Sequence, residues 1–541
     1  MRRFSASLLT VLALTASGLA ATTGAAPWES PPAADAAAAK PNIVFIMVDD
    51  MRNDDLRFMP STRARIRDRG ARFVNSFSPY PLCCPARSSV FSGAYTHNHG
   101  VYTVYADYGF HAFDDRRTMA TMLDKAGYAT VYLGKYLNRY GFDPPYLRTT
   151  GNSLRYVPPG WDMWRASLDG GFRADSPYQG STYAYYDTTL SFNGEGFEAL
   201  QGRYQTRAYG EIARGIVRRR AADAAPYLLY LSFTAPHSGW PHEPDDPAPT
   251  RRNDGVEDIW RTPARPPDIW GFWDKTVTAA SGRSWSDPDF SDKPAYLRQL
   301  VALNASEWRA AREVTRQRAE ALTIVDRQID KLMDALVATG ELRNTVVIFT
   351  SDNGYFLGEQ HMRQGKVFPH EPSLRVPLLV RGPGIPAGAV RRDPFTSVDY
   401  LPTLAAAAGT TSEVPADGVS LWGVARRGDN GWKRVILTET GALNHPPRGT
   451  DLAGLSLSEG EEEDIRFLLG VRTKRYLYVD VAHQKNELYD LRTDPKQYRN
   501  LVGEPAYARV QELMAAELAR VRACRGAACS APMSEELQLL Q

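Results

Sequence analysis

The chain has 541 residues, 43% hydrophobic and 23% charged, a globular composition long enough for one large or two to three ordinary domains. Its 64 Lys and Arg stand against 62 Asp and Glu, a net charge of +2. With no long basic run interleaved with aromatics, charge gives no basis for binding nucleic acid or an anionic membrane surface.

Residues 1–26 read as a signal peptide: Arg2 and Arg3, the apolar "LLTVLALTASGLA", then the small residues of "GLAATTGAA" as cleavage sites. A membrane anchor is the alternative, but the apolar run is shorter than the ~20 residues a spanning helix needs. Arg2-Arg3 with Phe4 hints at twin-arginine export, and no cysteine follows to carry a lipid. Residues 27–39 lie in the Pro/Ala-rich "PWESPPAADAAAAK", expected to be a disordered leader. No later segment has the length and apolarity to span a bilayer, so the expectation is a secreted protein without a stable membrane anchor.

"PNIVFIMVDD" opens the ordered part. Asn42 to Val48 suits a strand buried on both faces and ends in Asp49 and Asp50. Thr62 to Arg69 and Thr118 to Ala126 read as helices, the second stopping at Gly127 before the strand "YATVYLG" and Lys135. "APYLLYLSFTAPH" is another buried strand, ending at His237. A helix from about Ser306 to Gly340 leads into the strand "TVVIFTSDNG", with Asp352 and Asn353 at its end, and "RVPLLVRGPG" repeats the scheme. Strands alternating with helices predict an α/β domain with a large, mostly parallel sheet flanked by helices, over residues 40–430. Ligands gather at the carboxyl ends of such strands, where these polar residues fall. Tyr140 to Trp285 is rich in Trp and Tyr, serving either a substrate pocket or loop packing. Residues 431–541 change texture: short strand-like runs predict a smaller C-terminal antiparallel sheet, followed by a helix over Tyr507 to Arg522. Cys524 and Cys529 are expected to form a disulfide in an exported chain, since no His or further Cys lies nearby in sequence for a metal.

Two adjacent carboxylates at a buried strand end need a cation or several donors. Either pair alone suits a cap or turn. Asp49, Asp50, Asp352 and Asn353 together make a hard-oxygen site, suited to Ca2+ or Mg2+ rather than zinc. In "PLCCPARSSVFSG", Cys83 and Cys84 are neighbours that bridge only with strain. Two buried thiols are the plain alternative.

"C-x-P-x-R", here Cys83 to Arg87, followed by "SSVFSG", resembles the signature of the type I, formylglycine-dependent sulfatases. "NIVFIMVDD", "GYATVYLGKYLNRYG", "TAPHSGW", "FTSDNGYFLGE", "QGKVFPHEPSLRVPLLVRGPG" and "NELYDLRTDPKQYRNL" resemble the family's other segments in order, over nearly the whole mature chain. The resemblance implies an alkaline-phosphatase-like fold. It implies that a formylglycine-generating enzyme oxidises Cys83 to formylglycine during maturation, and that Asp49, Asp50, Asp352 and Asn353, with the residue at Cys83, bind Ca2+ (Mg2+ being the alternative). Arg87, Lys135, His237 and Lys366 follow as catalytic residues. "CCPAR", "GKYLNRYG" and "APHSGW" are nearest the N-acetylglucosamine-6-sulfatase and heparan-sulfatase branch, which implies a sulfated carbohydrate substrate such as an N-acetylglucosamine 6-sulfate. An aryl sulfate, or a phosphonate or phosphate ester of the same superfamily, is the rival substrate; an unmodified Cys83 would leave a glycan binder without turnover. Extra His and Asp ligands for a second zinc are absent, against a two-metal phosphatase. The sequence also departs from the family: Leu137 and Asn138 stand near where many sulfatases carry His. His97 and His99 are candidate substitutes as the final proton acceptor. Phe356 replaces a His frequent in the branch, which bears on sugar specificity.

Overall fold

The computed structural model describes residues 40–105, 108–148, 150–441 and 466–541. The expected signal peptide and leader lie outside them. Residues 40–541 form one compact unit.

The strands of the main sheet are β1 Asn42–Val48, β2 Ala71–Phe73, β3 Ala129–Lys135, β4 Met163–Ser167, β5 Thr189–Phe192, β6 Gly196–Ala199, β7 Tyr227–Ser232, β8 Thr345–Ser351, β9 Leu378–Arg381 and β10 Ala389–Arg391. They form a ten-stranded sheet in the order β10-β2-β9-β8-β1-β7-β3-β4-β5-β6. The centre, β8-β1-β7-β3-β4, is parallel. Within the mostly parallel sheet β9 is an exception, running antiparallel to both β8 and β2. A parallel return would need a crossover to the far end of the sheet. The link from Asp352 to Val376 instead stays at the carboxyl end, with a 3-10 turn over Glu359–His361 and the short helix Glu371–Leu374, so β9 enters from that end. The aromatic stretch from Tyr140 to Trp285 supplies β4, β5, β6 and β7 and the helix Gln205–Arg220 as well as loops.

The covering helices are α1 Cys83–Ser92, α2 Met119–Lys125, α3 Gln205–Arg220, α4 Ala305–Ala338 and α5 Tyr400–Ala407. Alternate residues of β1 face opposite layers. Phe45 and Met47 pack with Phe91 of α1, Leu123 of α2 and Leu404 of α5. Val44, Ile46 and Val48 pack with Ile216 of α3 and Val325 and Ile329 of α4. Burial on both faces is why these strands read as unbroken apolar runs. On the first face Phe45, Tyr230, Tyr132 and Trp164 stand in register on four neighbouring strands. Their rings form a column with centroids 4.7, 5.1 and 4.7 Å apart.

Helix ends reflect local chemistry. α4 begins where Asn304 and Glu307 form a capping box, and α2 where Thr118 and Thr121 do. Thr62 to Arg69 is less regular than expected: a turn of α-helix over Pro60–Thr62, then a widened turn over Arg63–Arg67.

A second sheet, β11 Ile436–Gly441, β12 Arg466–Arg472, β13 Tyr476–Val481 and β14 Glu487–Asp490, is antiparallel in chain order. Helix α6, Ala508–Val521, packs Val510, Met514 and Leu518 against Leu437, Val471 and Tyr476. Cys524 and Cys529 are disulfide-bonded, as expected. Among the described residues no helix is long and apolar enough to cross a membrane.

Candidate active site

The C-x-P-x-R spacing has a direct meaning on a helix. Cys83 opens α1 and Arg87 follows four residues on, so the two share one face. Cys83 also sits at the positive end of the helix. Its Sγ lies 3.3 Å from Asp49 Oδ1 and 3.9 Å from Asp50 Oδ1, and Lys366 Nζ donates to it at 2.8 Å. Burial, reinforced by Asp49, pushes the Cys83 thiol far above its ordinary range, against the pull of Lys135 and Lys366. As a thiol it stays protonated and is a poor nucleophile. Cys84 faces the other way, into the core with Phe91 and Leu137.

Four strand ends meet here. Asp49 and Asp50 follow β1, with Asp50 at φ 63°. Arg318 of α4 holds the Asp50 carbonyl at 2.5 Å, and the Asp50 N–H donates to Asp352 Oδ1 at 3.1 Å. Asp352 and Asn353 follow β8. Asn353 Nδ2 donates to Asp50 Oδ1 at 2.7 Å, while its Oδ1 is buried with no hydrogen-bond partner. One oxygen each from Asp49, Asp50 and Asp352 lies within 4.8 Å of the others. Three carboxylates and an unsatisfied amide oxygen, all buried, fit a hard divalent cation.

Cations surround these carboxylates. Arg87 is fully buried and donates Nε to Asp352 at 2.8 Å, and Nη1 to Ser232 Oγ at 2.8 Å and to the Lys135 carbonyl at 3.0 Å. Its Nη2 lies 3.5 Å from Asp49. Lys135 Nζ pairs with Asp49, and Lys366 Nζ with Asp50. Burial alone would raise Asp50, but Lys366 and His237 overcome it and hold the carboxyl at about 2. The lysines respond in kind. Burial opposes their charge, yet Asp49 raises Lys135, and Asp50 raises Lys366, well above the usual ammonium range. His237 behaves differently: burial lowers it despite Asp50 and Asp49. Its Nδ1 faces the Ser238 carbonyl at 2.7 Å, an acceptor, so Nδ1 carries the proton. Nε2 faces Asp50 at 3.7 Å.

The structure therefore brings together every expected site residue: Asp49, Asp50, Cys83, Arg87, Lys135, His237, Asp352, Asn353 and Lys366. It does not bring in His97 or His99. His97 sits between Glu439 and the Cys524 carbonyl, both at 2.8 Å, and His99 bonds Ser89 Oγ at 3.0 Å. They brace the region after α1, and neither is among the residues lining the cavity at Cys83. His97 is also the histidine that sequence proximity could not place beside Cys524. Phe356 does not line the cavity itself but packs in the core behind Phe368, which does. Asn138 does reach the cavity, and its Nδ2 donates to the Tyr183 hydroxyl at 2.6 Å. The Tyr183 ring lies 4.9 Å from Lys135 Nζ and 4.8 Å from the His237 ring. Tyr183, Ser232 and Arg318 were not singled out from sequence, since none stands in a motif. Tyr183 falls within the Trp- and Tyr-rich stretch from Tyr140 to Trp285.

Cys83, Asp50, His237 and Lys366 line one part of a cavity of about 280 Å3, whose other walls include Tyr105, Ile259, Trp260, Arg261 and Gln364. A buried cysteine, an oxygen cluster and paired cations opening on a pocket suit the binding of a charged tetrahedral group.

Residues 41–410 match the Sulfatase family and residues 459–524 the C-terminal part of N-sulphoglucosamine sulphohydrolase. The chain belongs to the sulfatase family. It is 32% identical over 392 residues to the extracellular sulfatase SULF-1 homolog of Drosophila melanogaster, 71% of this chain but 31% of that protein, so it spans about a third of that relative's length. To human N-acetylglucosamine-6-sulfatase it is 26% identical over 523 residues, 91% of this chain and 86% of that one. A solved protein in complex with its substrate D-glucosamine-2-N,6-O-disulfate shares the fold, with a TM-score of 0.65 and 21% identity, over 89% of this chain and 97% of that one.

Proposed function

We propose that this protein is a secreted hydrolase of sulfate monoesters, acting on a carbohydrate 6-O-sulfate of the N-acetylglucosamine 6-sulfate type. The observation that carries this reading is the placement of Cys83 against Asp49, Asp50 and Lys366 at the wall of the cavity. Its buried, protonated thiol is ill suited to attack, which supports conversion of Cys83 to formylglycine by a generating enzyme. Asp49, Asp50, Asp352 and Asn353 would hold Ca2+, or Mg2+ in its place. Bound there, the cation would polarise the ester, and the hydrated aldehyde at position 83 would supply the attacking hydroxyl and a second one that later expels sulfate.

The chain's own residues do the rest. Lys135 and Lys366 hold positive charge where negative charge develops on the transferred group. Lys366 donates a proton toward the leaving oxygen, and the neutral His237 offers Nε2 as the proton acceptor that Leu137 and Asn138 do not provide. Arg87 spends its donors on Asp352, Ser232 and the Lys135 carbonyl, so it braces the carboxylates. Residues 40–430 form the catalytic part and 431–541 a C-terminal subdomain.

The test is mass spectrometry of the peptide spanning Cys83, with turnover of N-acetylglucosamine 6-sulfate, an aryl sulfate and an aryl phosphonate. Aldehyde is expected at position 83, with faster hydrolysis of the sulfates. Cys83→Ala is expected to fold normally and to lose turnover by at least about 1,000-fold, and chelation should both abolish turnover and lower the melting temperature. A thiol in active protein, or undiminished turnover in Cys83→Ala, rejects the reading.

A further inference from the structure

The loop that presents Lys366 has an unusual backbone. Val367 adopts φ 88°, a region that a β-branched residue avoids unless its surroundings hold it there. Gly365 precedes Lys366 at φ 133°. The strained residue is gripped on both sides. Its N–H donates to the Pro81 carbonyl at 3.1 Å, two residues before Cys83. Its carbonyl accepts from Thr440 Oγ1 at 2.9 Å. Its side chain packs between Tyr80 and Leu82. Thr440 is buried on β11, the first strand of the second sheet. The preceding residue on that strand, Glu439, donates its N–H to the Pro79 carbonyl at 2.9 Å. One strand of the second sheet thus grips both the segment leading to Cys83 and the loop carrying Lys366.

We propose that Thr440 is a positioning residue for catalysis: its hydroxyl holds the Val367 carbonyl and thereby fixes Lys366 against Cys83 and Asp50. The geometry explains why a strained valine persists next to a functional lysine. Without the hydroxyl a buried carbonyl loses its partner, and the loop can relax out of the left-handed region. Lys366 then leaves the 2.8 Å contact with Cys83. The second sheet, although remote in sequence, contributes to chemistry through one side chain that never touches substrate.

The proposal rests on the sulfatase reading for its kinetic consequences, and its structural half can be tested without it. Thr440→Val keeps the shape and removes the hydroxyl. Its kcat for the sulfate ester should fall by about 10- to 100-fold, as expected when a reacting group is misplaced by an ångström or so, with KM changing much less. Thr440→Ser restores the donor and should recover most of the rate. Thr438→Val, on the same strand, should leave kcat within about threefold. A crystal structure of Thr440→Val should show the Val367 backbone relaxed and Lys366 Nζ withdrawn from position 83. Retention of the wild-type loop in that crystal, failure of serine to rescue, or an equal loss in Thr438→Val overturns the proposal. Absence of any sulfate-ester turnover in the wild type overturns the sulfatase reading instead, and the crystal still decides the role of Thr440.

Discussion

Cys83 and Arg87 show what a signature carries at the residue scale. Four positions apart on α1, both face Asp49, and the resemblance to the sulfatase signature already placed both in the site. Tyr183 shows the opposite: its place over Lys135 and beside His237 depends on a loop folding back across the sheet. Another informative residue lies away from the site. Asp115 is buried, and the Tyr156 hydroxyl donates to its carboxyl, 2.9 and 3.0 Å from the two oxygens. Burial raises its carboxyl from 3.8 to about 6, only partly offset by the Tyr156 bond. The folded protein therefore holds a proton that the unfolded chain releases. That contribution to stability is complete below about pH 4 and is lost as pH rises through about 6. Asp115→Asn keeps an acceptor for Tyr156 and cannot ionise. Relative to wild type it should gain on the order of 2–3 kcal/mol between about pH 4 and pH 7, read from urea melts at the two values. A gap between the proteins that does not change with pH would contradict this account.

At the scale of elements, β3 and β7 illustrate how a strand can be specialised at one point. Gly134 on β3 has φ 106° and pairs with Ser232 on β7. A Cβ there would fall 2.0 Å from the Ser232 carbonyl. The glycine lets the strands close where Ser232 receives Arg87, and it directs the next residue, Lys135, toward Asp49. Gly134→Ala should therefore cost about 3 kcal/mol or more, measured by denaturant melts, and should depress turnover because Ser232 and Lys135 move with the backbone. A stable, fully active alanine variant would show that the approach of the two strands is not needed. The link after β8 is specialised in another way. Because it never crosses to the far end of the sheet, it can place Lys366 beside the cluster it left at Asp352. The antiparallel β9 is the topological consequence.

For the whole molecule, the question is how the second sheet is held to the first. Besides Thr440, His97 bonds both Glu439 on β11 and the carbonyl of Cys524. Asp417 accepts from the Gly526 N–H at 2.7 Å inside the loop that the disulfide closes. The bond between Cys524 and Cys529 spans a sequence separation of 5. A loop that short limits the unfolded chain modestly, by about 2 kcal/mol on the chain-entropy view. Replacing both cysteines by serine should lower stability by roughly that amount and leave turnover close to wild type, since no residue of the loop lines the cavity at Cys83. Loss of activity with stability intact would mean that this loop transmits to the site.

Much of the site is legible in the sequence because its chemistry is carried by residues next to strand ends. Apolar runs such as Ile43 to Val48 determine buried strands by burial. The chain leaving such a strand at its carboxyl end must turn polar, which located Asp49, Asp50, Asp352, Asn353, Lys135 and His237. Cys83 and Arg87 entered through the resemblance of their segment to the sulfatase signature, and the fold puts them on one face of α1. Other features required the chain to close on itself. Local pattern does not encode the direction of β9, the diversion of His97 to Glu439 and Cys524, the placement of Tyr183 beside Lys135 and His237, or the bond from Thr440 to Val367. Each is a contact or pairing between segments whose meeting depends on sheet order and crossover geometry, and only the assembled fold decides those.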